Sequence, residues 1–163
     1  MQSIIDEIIK LRTKGLNDPE GMVICQVREL TSDEKNMKAD PIKLINSFCV
    51  SDLSFDFSML ENKDVWEETD KKCAHSIIMH VLTENYGLIE DRIPESVATT
   101  LTASFMNIFS INPRYFSNGK YYFDGDSYKL KMSTVIPLYG RIEGGVICFD
   151  EKFIGIIWVV DDD

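Results

Sequence analysis

The chain has 163 residues and a mass of 18.7 kDa, which predicts one globular domain spanning 1–163. Its 44% hydrophobic and 27% charged residues are those of an ordinary folded protein that needs no disulfide or metal to hold it. Seventeen Lys and Arg against 27 Asp and Glu give a net charge of −10, which argues against binding a phosphate backbone as a main role and disfavours anionic membranes.

The chain opens on a predicted helix. Ser3 is suited to cap it, Asp6 and Glu7 to its positive end, and Gly15 to stop it. Ile4, Ile5, Ile8, Ile9 and Leu11 give it a wide apolar stripe. The same start lacks the basic and unbroken apolar regions of a signal peptide. Asn17 to Gly21 read as a loop, Met22 to Val27 as a buried strand, and Thr31 to Ala39 as a polar connection. Asp40-Pro41 starts a short helix through Ser47, with proline in the first turn, where its missing N–H costs nothing. Residues 48–57 alternate with a slip near Leu53, the pattern of a bulged strand or an irregular segment.

Two long helices follow. The first runs from about Glu67 to Tyr86 on a stripe of Ala74, Ile77, Ile78, Val81 and Leu82. The second runs from Pro94 to just before Asn112-Pro113 on Val97, Leu101, Phe105, Ile108 and Phe109. The last third is β. Lys120 to Asp124 and Ser127 to Ile136 flank a Gly125-Asp126 hairpin turn. Leu138 to Glu143 and Val146 to Phe149 flank Gly144-Gly145, read as a second tight turn. Asp150 to Lys152 make a third turn before the apolar strand Phe153 to Val160. Helices gathered ahead of these strands predict an α+β fold. Its N-terminal and central helices pack on a C-terminal antiparallel meander, open or curled into a partial barrel.

Catalytic signatures are missing. His75 and His80 are five positions apart, about 140° around a helix, whereas a metal pair on one face needs i,i+4. Cys25, Cys49, Cys73 and Cys148 are widely spaced beside apolar residues, which suits buried thiols in a reducing cytoplasm. No Walker loop, dinucleotide fingerprint or serine elbow occurs. Asp124 to Ser127 resemble the start of a calcium loop, but Lys129 stands where its turn glycine belongs. No cofactor is expected and the chain is not read as an enzyme.

The charge is unevenly spread. Residues 51–70 carry seven acids (Asp52, Asp56, Glu61, Asp64, Glu67, Glu68 and Asp70) and one base, net −6, and Asp161 to Asp163 add −3. Residues 1–50 carry −1 and 71–160 carry none. Such a segment is either a solvated face or a surface that steers a basic partner inward. Trp66, within it, reads first as a core anchor and second as a contact hot spot. Tyr115, Phe116, Tyr121, Tyr122, Phe123 and Tyr128 make the hairpin region aromatic, mostly through strand propensity.

In size, acidity, architecture and lack of catalytic motifs the chain resembles bacterial toxin-immunity proteins. The resemblance is to a class, and no residue string carries it. It implies a cytoplasmic inhibitor that binds one cognate toxin, expected to be a basic nuclease domain, and blocks it. The protein itself then touches neither nucleic acid nor membrane. The expected contacts are Asp52, Asp56, Glu61, Asp64, Trp66, Glu67, Glu68 and Asp70, with partner-strand addition at a sheet edge as a variant. Two alternatives stay open: a small enzyme or ligand binder with a site between helices and sheet, and a homo-oligomer built on the Phe153–Val160 strand.

Overall fold

The computed structural model of the chain describes residues 1–13, 23–53, 66–83, 93–123, 125, 128–132 and 142–161. Its helices are α1 (Gln2–Arg12), α2 (Ser32–Met37), α3 (Pro41–Asp52), α4 (Lys71–Thr83) and α5 (Glu95–Met106). Its strands are β1 (Val23–Glu29), β2 (Glu67–Thr69), β3 (Arg114–Ser117), β4 (Gly119–Phe123), β5 (Tyr128–Met132), β6 (Ile142–Phe149) and β7 (Phe153–Asp161). Five strands form one open antiparallel sheet in the order β1-β7-β6-β3-β2. The fold is α+β. The sheet also draws β1 and β2 from the first half of the chain, one at each edge.

The long apolar run of β7 is explained by its position. A strand covered on both faces has no reason to alternate. On one face Cys25, Val27, Tyr115, Val146, Cys148, Ile157 and Val159 share a core with α1, α4 and α5. On the other, Phe116, Ile147, Phe149, Ile154, Ile156 and Trp158 meet Leu44, Ile45 and Phe48 of α3. The sheet is therefore the middle of three layers. Trp66 belongs to the second core, 5% exposed, with its ring centroid 5.4 Å from that of Trp158.

Buried polar groups tie the layers together. Arg12, buried at the end of α1, donates from Nε to the Val81 carbonyl in the last turns of α4 at 3.2 Å. Asp150, at the β6–β7 turn, accepts from the backbone N–H of Lys152 and Phe153 at one oxygen and of Ser110 and Ile111 at the other. Burial alone raises its pKa, but these four donors outweigh burial and hold the carboxylate below its ordinary range.

Several expectations need correction. α1 is capped at Met1, with Ser3 inside the helix and no side-chain cap bond, while Gly15 lies outside the described residues. The polar stretch Thr31 to Ala39 contains α2. The helix begun at Pro41 continues to Asp52, so residues 48–52 are helical, and 54–57 lie outside the described residues. Leu44, Ile45, Phe48 and Cys49 are buried at helical spacing while Val50 is 78% exposed, a pattern that also mimics alternation over a few residues. Residues 67–69 are β2, and α4 starts only at Lys71, where Asp70 Oδ1 accepts from the Cys73 N–H at 2.7 Å. α5 ends at Met106, and its buried side is centred on Ala98, Leu101, Thr102 and Phe105, leaving Val97 exposed.

The second glycine pair is not a turn. β6 runs straight through it, with Gly144 opposite Val159 and Gly145 opposite Trp158. A Cβ on Gly145 would lie 1.8 Å from the Ile157 carbonyl oxygen, so this residue permits a close backbone approach. The hairpin at Gly125 is present as read, with φ +100° at the glycine. It forms a separate two-stranded ribbon, since β3 pairs directly with β6.

Candidate functional site

Arg28 near the end of β1 organises one side of the molecule. Its Nη1 and Nη2 donate to the two oxygens of Glu34 at 2.7 and 2.9 Å, and its Nε donates to Asp52. The guanidinium also lies 5.2 Å from the Phe48 ring centroid. Glu34 is in place because of the local sequence. Thr31 caps α2, with its hydroxyl accepting from the Glu34 N–H at 3.2 Å, and Glu34 Oε1 accepts from the Thr31 N–H at 2.9 Å. The Arg28 hydrogen bonds, helped by those from Thr31, pull the Glu34 pKa down to about 2 against the cost of burial.

These side chains line an open groove of about 370 Å³ between the end of β1, α2 and α3. Among the described residues of its lining, four carboxylates, Glu29, Asp33, Glu34 and Asp52, surround one cation, Arg28. Ser47, Ser51 and Thr31 add hydroxyls. Asp33 and Glu29 are exposed, and Glu29 also lies 3.4 Å from the Lys152 ammonium. An excess of carboxylates over one internally satisfied guanidinium is chemically suited to receiving Lys or Arg side chains.

A second groove, of about 320 Å³, is lined by Lys38, Arg114, Asp150 and Glu151, and its described lining is close to neutral. Arg114 forks onto Glu68 with two bonds of 2.7 Å and lies near the stacked rings of Phe116 and Phe149. Lys38 pairs with Glu151 beside it. The Arg114 bonds lower the Glu68 pKa.

The four described acids of 51–70, Asp52, Glu67, Glu68 and Asp70, do not share one face. Asp52 is bound to the β1 edge and Glu68 sits on β2 at the opposite edge. Asp70 caps α4, Glu67 is exposed, and Trp66 takes its core reading, which removes it from the accessible surface. Asp56, Glu61 and Asp64 lie outside the described residues. Sequence reasoning missed Glu29, Asp33 and Glu34. The legible signal was Thr31-x-x-Glu34, a capping-box spacing that marks a helix start and hence a place where acids gather.

Three of the four cysteines, Cys25, Cys49 and Cys148, are buried and poorly suited to nucleophilic work, while Cys73 is half-buried. Burial pushes Cys25 and Cys49 up to about 12 and Cys148 well above the usual thiol range. Neither groove contains His75 or His80, and among the described residues no three His, Cys, Asp or Glu are grouped to hold a metal ion. Among the same residues no helix is long and apolar enough to cross a membrane. No family model matches the chain, and no curated protein or solved structure matches it either.

Proposed function

We propose that the chain is an immunity-type inhibitor that captures a basic toxin domain through the acidic groove beside Arg28. The observation that carries this reading is the groove itself, four carboxylates around one guanidinium that is already satisfied. The net charge of −10 adds long-range attraction for a basic partner, and carboxylates stand in for the phosphates that a nuclease's Lys and Arg would hold. The contacts are Glu29, Asp33 and the outer edge of Asp52, with Glu67 as an outlying acid on the other edge.

Co-purification of the tagged protein from its native cell tests the class. The expected partner is a basic protein that is toxic when expressed alone and harmless when coexpressed with this chain. Glu29→Lys with Asp33→Lys removes that protection while far-UV circular dichroism stays unchanged. A cognate partner that is acidic, or full protection by the doubly reversed protein at matched expression, contradicts the proposal.

A further inference from the structure

β1 is the longer of the two sheet edges, seven residues against three in β2, and the direction of its backbone groups can be followed residue by residue. The Leu30 N–H donates to the Lys152 carbonyl at 2.8 Å, one step beyond the pair Glu29–Phe153. Alternate residues of an antiparallel strand share that orientation, so Ile24, Gln26 and Arg28 turn N–H and C=O toward β7. Val23, Cys25, Val27 and Glu29 turn theirs away from the sheet. The Phe153 carbonyl accepts from the Asp150 N–H at 2.9 Å on the β6 side, which fits the same alternation. Among the described residues the Glu29 carbonyl accepts from Arg28 Nη1 at 3.0 Å, and no hydrogen bond reaches the outward N–H of Val23, Cys25 or Val27. A bulge, a proline and a lysine, three devices that commonly blunt an edge, are all absent from β1.

Such an edge is built to hold another extended backbone, because its donors and acceptors repeat at the strand spacing. The surroundings select the charge of that backbone's side chains. At the Glu29 end the edge runs into the groove of Asp33 and Asp52, whereas from Val23 to Val27 the strand carries no charge. We propose that an extended segment of the partner adds to β1 as a sixth, antiparallel strand of the sheet, with a Lys or Arg at the end that reaches Glu29, Asp33 and Asp52. Antiparallel pairing is the one used throughout this sheet, and it places the cation at the N-terminal end of the segment, with uncharged residues following toward Val23. The groove then fixes direction and register, which a bare edge specifies weakly. The cation rests on the reading of a basic partner given above, while the strand addition rests on the β1 backbone alone.

Amide hydrogen exchange of the isotope-labelled full chain, followed by NMR, tests it. The probe is a synthetic peptide of two lysines followed by alternating threonine and valine. In the free chain the N–H groups of Ile24, Gln26 and Arg28 exchange slowly and those of Cys25 and Val27 quickly. Saturation with the peptide slows Cys25 and Val27 at least about tenfold. Two glutamates in place of the lysines weaken binding at least about tenfold. N-methylation of the peptide amides that face β1 abolishes the protection without altering this chain. Slow exchange of Cys25 and Val27 in the free chain, whether from a second copy or from a cover within the fold, overturns the proposal. So does a lysine peptide that adds no protection, or a glutamate peptide that binds as well. A co-purified partner that is harmless when expressed alone defeats the toxin reading and leaves these readouts standing.

Discussion

The two edges of the sheet each hold an arginine over phenylalanine rings with its guanidinium forked onto a glutamate, yet they are different structures. At the β1 edge Glu34 is only 5% exposed at its side chain, and Arg28 is shared with a second acid, Asp52. At the β2 edge the Glu68 side chain is 49% exposed, and it is the one carboxylate bonded to Arg114 among the described residues. A buried carboxylate depends on its partner, whereas an exposed one retains water when the partner is removed. The same ion-pair chemistry is therefore a structural joint at one edge and a surface contact at the other.

The largest expected effect is at the joint. Arg28→Ala strands Glu34 in a buried site and releases α2 and the end of α3 from β1. We expect about 3 kcal/mol of lost stability, and a fall in Tm on the order of 10 °C in thermal unfolding. Arg114→Ala is the matched control and should cost about 1 kcal/mol or less. Equal losses at the two sites would erase the distinction between the edges.

Acid sharpens the comparison with a smaller effect. The folded pKa of Glu34, about 2, lies below its ordinary 4.5. Between those values the unfolded chain binds more protons, so this contribution is fully present above about pH 4.5 and is lost as pH falls toward 2. Glu34→Gln should flatten the acid limb of a stability–pH profile measured by urea unfolding. Glu68→Gln should change it much less, because Glu68 is half in water.

Much of the fold is legible in the sequence where periodicity is long. The stripe of α4, the apolar β7 and the Gly125 hairpin stand as read. Short or special elements are not. α2 is six residues of polar sequence held by a capping box and by Arg28 from another element. The Phe48–Asp52 turn of α3 carries too few residues to separate a period of 3.6 from one of 2. Gly144-Gly145 reads as a turn because nothing local reveals that a neighbouring backbone needs the space. The groove is hidden in the sequence for the same reason. Asp52 and Glu68, both from 51–70, are drawn to opposite edges by Arg28 and Arg114, while the groove gathers Glu29, Asp33, Glu34 and Asp52 from separate segments.

The most direct test of the central claim is a comparison of association rates with the cognate partner at low and physiological salt, by stopped flow, for two charge reversals. Glu29→Lys/Asp33→Lys alters the β1-edge groove, and Glu67→Lys/Glu68→Lys alters the β2 edge. The groove account predicts at least about a tenfold slower association and a flatter salt dependence for the first, and less than about a twofold change for the second. The reverse ranking would contradict it and return the binding face to residues 51–70.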